Sequence, residues 1–200
     1  MLGEEIVETN YKIAMKIHTN RMANVPMTEE QKRNFKKIEQ QIIDIRANFI
    51  KLFGESLIYH ENQQRYTESI INWGEENGKY FFNLNAPLDE ALKEISYYRE
   101  YILKTIRDTA LANDMSVSTV FEAISVVDPL LDKAVYYFSL TYVKHFQKSL
   151  ERAKTSFLEL SVPVLPLTEG MGLLPLIGDI DTQRAKLIME KTLNEATKLQ

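Results

Sequence analysis

Apolar residues recur at alternating three- and four-residue spacings through residues 3–146 of this chain. This spacing places side chains on one face of a helix and predicts a succession of amphipathic α-helices. The same spacing is typical of a coiled-coil seam. We favour packing of the strongest stripe inside its own domain over self-association. That stripe consists of Phe35, Ile38, Ile42, Ile45, Phe49 and Leu52.

Capping and breaking residues set the expected limits of the first two helices. The first is predicted over residues 3–23 and is broken by the segment 24–27, which contains a proline. Thr28 and Gln31 then have the spacing of a capping box, in which each side chain satisfies a backbone N–H of the next helix. Gly54 is expected to end this second helix.

Three more helices are predicted before residue 147. One covers residues 56–76, with Gly74 and Gly78 marking its exit, and another covers residues 88–113. The last begins at Ser116 or Ser118. Pro129 is expected to kink or break it, because proline lacks a backbone donor and clashes with the preceding turn. The sequence therefore predicts a compact all-α domain of five or six helices, followed by a polar helical linker.

Composition excludes several classes of protein. The net charge is −4 and no basic block occurs, so nucleic acid and anionic membranes are unfavourable partners. No apolar run approaches the roughly 20 residues of a spanning helix, and the first residues lack a signal-peptide core. The chain contains no cysteine, which removes thiol nucleophiles, thiolate metal sites and disulfides. These features predict a soluble, cytoplasmic protein.

The class of structure changes after residue 159. Two short apolar runs, each carrying a proline, flank a turn-like segment over Thr168–Gly172. A polar elbow over Gly178–Thr182 then leads into an amphipathic pattern. The sequence here predicts a β-hairpin followed by a helix whose first turn displays a hydroxyl group.

No arrangement of residues typical of an enzyme is visible. The three histidines, His18, His60 and His145, lie on different predicted helices without metal-ligand spacing. A haem ligand would be expected on the helix over 88–113, which has no histidine, so haem is disfavoured. No nucleophile elbow or phosphate loop is present. We assign the tyrosine clusters to the core rather than to a ligand pocket: Tyr97, Tyr98, Tyr101, Tyr136, Tyr137 and Tyr142.

Thr182 is the candidate regulatory residue. Asp181 is suited to cap the helix, which makes Thr182 its first residue, near the partial positive end of the helix dipole. Arg184 lies two residues further on. A phosphate on Thr182 would be stabilised there and would change the charge of an exposed surface. Asp179 and Asp181 form a weak metal pair, and Thr182 could also be an ordinary first-turn residue.

The motifs of this last segment resemble the opening of the STAS domain in RsbR-type stressosome proteins, the RsbT co-antagonists. They lie at 161–167, 174–178, 181–185 and 188–190. The helical part is similar to the non-haem globin-like sensor domain of that family. The resemblance implies a globin-like domain over 1–146, a helical linker over 147–159 and the first part of a STAS domain over 160–200. A whole STAS domain needs roughly a hundred residues, so we expect this one to be incomplete.

The resemblance implies a cytoplasmic stress-signalling scaffold and sensor without enzymatic activity or cofactor. Its expected partners are an RsbS-like STAS protein, an RsbT-like kinase and a second copy of the chain bound through the helical domain. Thr182 matches the first phosphorylatable threonine of the family. The family usually has threonine and glutamate where this chain has Asp179 and Gln183, and neither change removes the acceptor hydroxyl. The alternative function is a globin-like sensor that binds haem or another small molecule.

Overall fold

The computed structural model describes residues 1–23, 28–160, 164–168, 170–176 and 178–198. The predicted helix break over 24–27 lies outside these residues. The side chain of Gln31, on which the capping-box prediction depends, also lies outside them. Residues 161–163 and 177 of the apolar runs lie outside them as well. The described part of the chain contains six α-helices, one 3₁₀-helix and a two-stranded sheet.

Five long helices form most of the chain. Their bounds are α1 Leu2–Met22, α2 Glu29–Ile58, α3 Gln63–Asn83, α4 Leu88–Ala112 and α5 Val117–Leu160, with the 3₁₀-helix His60–Asn62 before α3. No helix among the described residues has both the length and the apolar character needed to cross a membrane.

The chain divides into two compact units, Met1–Lys144 and His145–Gln200. The first unit contains the main hydrophobic core. Ile42 and Phe49 of the predicted stripe are buried in it, so packing of α2 inside its own unit is confirmed. The most deeply buried apolar side chains come from all five helices: Ile6, Ile17, Phe49, Ile50, Phe53, Ile70, Ile102, Ile106 and Leu131.

Glycine permits close helix contacts here instead of ending helices. The expectation that Gly54 ends the second helix was wrong, since α2 continues to Ile58. A Cβ atom at Gly54 would lie 2.7 Å from the backbone oxygen of Gly3 in α1. Gly74 and Gly78 likewise lie inside α3, and a Cβ at Gly74 would lie 2.9 Å from the carbonyl oxygen of Ala134 in α5. These glycines allow the backbones of neighbouring helices to approach each other.

The fifth helix continues through its proline. Ser116 is its cap, because the Ser116 hydroxyl accepts a hydrogen bond of 3.1 Å from the backbone N–H of Thr119. Pro129 lies inside α5 without ending it, so of the predicted kink or break the break was wrong. The helix includes the residues assigned to the linker and extends to Leu160.

The second unit contains the β-hairpin and the last helix that the sequence predicts. Strands β1 (Leu165–Thr168) and β2 (Met171–Leu173) pair antiparallel, with Leu165 opposite Leu173 and a register shift next to the turn. Gly170 in the turn has a φ of +74°, which glycine adopts without strain. Helix α6 follows over Thr182–Lys198. The prediction of a mainly α fold with a hairpin and a helix is confirmed.

Candidate functional site

Thr182 lies where the sequence predicts it, as the first residue of α6. Its side chain is exposed. The Asp181 carboxylate accepts a 2.8 Å hydrogen bond from the backbone N–H of Arg184, and the Asp181 carbonyl accepts one of 2.8 Å from Ala185. This is N-cap geometry, so the assignment of Asp181 as the cap is confirmed. The cap places the Thr182 hydroxyl at the start of the helix.

The loop before Thr182 is held by the side chain of Arg184. Its Nη1 donates a 2.8 Å hydrogen bond to the backbone oxygen of Asp179, and the residue is 8% exposed. Gly178 has a φ of +78°, and a Cβ atom there would lie 3.4 Å from this Nη1. Arg184 and Gly178 therefore shape the elbow that presents Thr182.

This geometry is suited to a phosphate. The first backbone N–H groups of a helix have no acceptor within the helix, and together they carry a partial positive charge. A phosphoryl group on Thr182 would add about −1.5 to −2 charges at neutral pH next to these groups. The result would be a large change in surface charge without a change in the core.

The three histidines are far apart in the sequence and lie in three different helices. His60 lies in the 3₁₀-helix and is exposed, and His145 lies in α5. His18 is buried in α1, where both ring nitrogens have partners. Nδ1 is 2.8 Å from Arg46 Nη1 and Nε2 is 2.8 Å from Glu39 Oε1. Because arginine can only donate, Nδ1 accepts and Nε2–H donates.

Sequence reasoning missed the buried charge cluster to which His18 belongs. Arg46 of α2 donates to both carboxylate oxygens of Glu94 in α4, with Nε 3.1 Å from Oε2. Arg21 of α1 donates to Glu94 Oε1 at 3.4 Å and to Glu90 Oε2 at 3.0 Å. A signal for it existed in the sequence. Glu94 shares four-residue spacing with buried Tyr98, so a charge occupies the apolar face of α4.

Burial and pairing shift the pKa values of this cluster. Burial lowers the pKa of Arg46, but the hydrogen bonds and charge of Glu94 outweigh this effect and raise the pKa above its ordinary value. Burial also raises the pKa of Tyr98 well above its ordinary value, and the charge of Glu94 raises it further. The pKa of Glu90 is lowered, first by the hydrogen bond from Lys93 and then by that from Arg21. A raised pKa keeps Arg46 charged at neutral pH, and a lowered pKa does the same for Glu90.

The six tyrosines do not form one pocket. Tyr98 is buried in the core, as predicted, whereas Tyr136 is 60% exposed. The Tyr142 hydroxyl donates a 2.8 Å hydrogen bond to the backbone oxygen of Ala86. Tyr101 accepts a hydrogen bond of 2.8 Å from Asn20 on its hydroxyl oxygen.

The fold and site define a mainly α chain in which a helical unit precedes a β-hairpin and a helix. Asp181 caps this last helix, and Thr182 is its exposed first residue. No protein-family profile matches the chain. It is similar to three proteins of Bacillus subtilis (strain 168). It is 31% identical to the RsbT co-antagonist protein RsbRC over 70% of its length. It is 24% identical to RsbRD over 82% and 25% identical to RsbRB over 88%.

The chain belongs to the RsbR-type family of RsbT co-antagonist proteins. The matched regions cover 51% of RsbRC, 58% of RsbRD and 59% of RsbRB. The chain therefore spans between half and three-fifths of the length of these relatives.

Proposed function

We propose that this chain is a non-enzymatic sensor and scaffold subunit of a cytoplasmic stressosome. The observation that carries the proposal is its similarity to three RsbT co-antagonist proteins over 70–88% of its length. Thr182, exposed at the start of the helix that Asp181 caps, adds a site at which signalling could be regulated. Together they favour regulation through partner binding over catalysis.

The two compact units support a division of roles. The helical unit is proposed as a globin-like sensor domain over 1–146, and residues 160–200 as the first part of a STAS domain. Residues 147–159 are proposed as the connecting helix. Their place inside the continuous α5 supports this assignment, because a helix is stiffer than a coil linker.

The proposed partners are an RsbS-like STAS protein and an RsbT-like kinase. The kinase is proposed to phosphorylate Thr182, and the added charge to release or recruit a partner at this surface. The support is local. Thr182 is exposed, and the carboxylate of Asp181, not Thr182, accepts the capping hydrogen bond from the Arg184 backbone N–H.

Replacement of Thr182 by alanine is expected to abolish most phosphate transfer from an RsbT-type kinase to the chain. Alanine keeps the helix but removes the acceptor oxygen. The measurement is incorporation of labelled phosphate from ATP, followed by mass spectrometry of the modified peptide. Thr192→Ala is the matched control, because this threonine lies further along α6 with its hydroxyl bonded to the Ile188 carbonyl. Equal labelling of Thr182→Ala and the unmodified chain would reject the assignment.

Homodimerisation is proposed to involve the last two helices of the helical domain, and a stripe on α5 extends the proposed face into the connecting helix. Four apolar residues of α5 follow each other at spacings of four, three and four, which is the pattern of a coiled-coil seam. All four are exposed, and Phe157 is 71% exposed. A second copy would remove this stripe from water. The stripe consists of Phe146, Leu150, Ala153 and Phe157.

Leu150→Glu is expected to weaken self-association by at least about tenfold, because it places a charge in the proposed seam. Sedimentation equilibrium over a range of concentrations measures the dissociation constant. Leu193→Glu is the control, since Leu193 is similarly exposed but lies in α6. A monomeric unmodified chain, or equal association of both variants, would contradict the proposal.

A further inference from the structure

The first unit contains a cavity of about 600 Å³ between α1, α2, α4 and the end of α3. Its volume lies within the range of small-molecule sites, roughly 300–1,000 Å³. Close-packed protein interiors contain few voids larger than a water molecule. The described residues that line its apolar part include Phe35, Ile38, Ile42, Phe81, Ala91 and Tyr97.

The described lining offers haem no histidine ligand. Histidine is absent from the described residues around this cavity. His18, in the adjacent buried cluster, has both ring nitrogens engaged by Arg46 and Glu39. A haem iron would need a free axial ligand, such as an imidazole nitrogen.

The charged side chains at the polar end of the cavity pair with one another. Glu94 accepts hydrogen bonds from Arg21 and Arg46. Glu90 accepts one from Arg21 on Oε2 and one from Lys93 on Oε1. Each oxygen of the two carboxylates thus has a cationic partner, and each of the three lining cations has a carboxylate.

An ionic ligand would have to compete with these pairs for the charged groups. Separating Arg46 from Glu94, whose side chains are 5% and 11% exposed, would leave an uncompensated buried charge, which is costly. A neutral ligand keeps the pairs intact and gains stabilisation by removing its apolar surface from water. The paired charges therefore favour a neutral ligand over an anion or a cation.

We propose that this cavity binds a neutral, predominantly apolar small molecule. Phe35 and Ile38 of α2 and Phe81 of α3 form its apolar walls, and the ion-paired glutamates close its polar end. The inference is independent of the proposed scaffold role, because it rests on the cavity alone.

A matched pair of probes tests both the site and the class of ligand. N-phenyl-1-naphthylamine is neutral, and 1-anilinonaphthalene-8-sulfonate is the same molecule with an anionic sulfonate. We expect the neutral probe to bind saturably at one site per chain and more tightly than the sulfonate. Energy transfer from Trp73 reports binding. This is the sole tryptophan, and it lines a smaller chamber that shares Arg46, Phe81, Ala91 and Glu94 with the cavity.

Ala91→Phe fills the cavity and is expected to weaken binding of the neutral probe by about tenfold or more. Ala112→Phe, at the exposed end of the same helix, is the control and should bind as the unmodified chain does. Ile38→Phe, on the opposite wall, is a second filling variant if Ala91→Phe melts at a much lower temperature. Unchanged binding to a folded filling variant, absence of saturable binding, or tighter binding of the sulfonate would each overturn the proposal.

Discussion

Glu94→Ala is expected to lower the free energy of unfolding of the helical unit by about 3–5 kcal/mol. The substitution removes the partner of Arg46, which is 4% exposed, and one of the two partners of Arg21. The loss arises mainly because the guanidinium of Arg46 remains buried without its counter-charge. Its hydrogen bond to His18 cannot replace a carboxylate, since the imidazole is a neutral acceptor.

Urea unfolding followed by far-UV circular dichroism measures this change. Glu100→Ala is the matched control, because Glu100 is exposed on the same helix, and its effect should be within about 0.5 kcal/mol. The double variant Arg46→Met, Glu94→Leu should recover much of the loss, because a buried ion pair can be replaced by apolar side chains of similar volume. If Glu94→Ala were no more destabilising than Glu100→Ala, the cluster would not be buried as described.

Phe49→Ala is expected to destabilise the same unit by about 3–5 kcal/mol, through lost burial and the cavity left behind. Phe49 is fully buried at the centre of an aromatic group. Its ring centroid lies 3.7 Å from that of Trp73 in a stacked arrangement. It makes edge-to-face contacts with Phe53 at 4.8 Å and Tyr98 at 4.9 Å. Truncation therefore removes contacts with both α3 and α4.

Phe121→Ala is the control for this substitution, because the side chain of Phe121 is 66% exposed. Its effect should be a small fraction of that of Phe49→Ala in the same urea experiment. In Phe49→Ala, the emission of Trp73 should also change in the folded state, because the stacked neighbour is gone. Similar destabilisation by the two variants would show that Phe49 does not organise this core.

The helices could be predicted where the signal was local. The apolar spacing of α2 and the capping residues Ser116 and Asp181 act over at most four positions, and the structure contains all three features. The glycines were misread for a related reason. Gly54 and Gly74 weaken a helix locally, but each lies where the backbone of another helix approaches closely. Nothing within a few residues distinguishes such a contact glycine from a helix-ending glycine.

The candidate sites also differ in whether their residues are close together in the sequence. Thr182 was found from its neighbours, since an aspartate before a helical pattern places the next residue in the first turn. The charge cluster was not found, because Arg46 and Glu94 are 48 positions apart and His18 and Glu39 are 21 apart. Each charge could be recognised in the sequence as an interruption of an apolar stripe. Its partner could not.

By itself, the sequence determined the mainly α class, the hairpin before the last helix and the position of Thr182 at a helix start. These depend on side-chain periodicity and on hydrogen bonds between residues close in the chain. Only the tertiary structure decided which charges pair, which glycines lie at helix contacts, and that a cavity with paired charges at its polar end lies beside the core. Those features depend on which helices pack together, and packing joins residues that no local pattern relates.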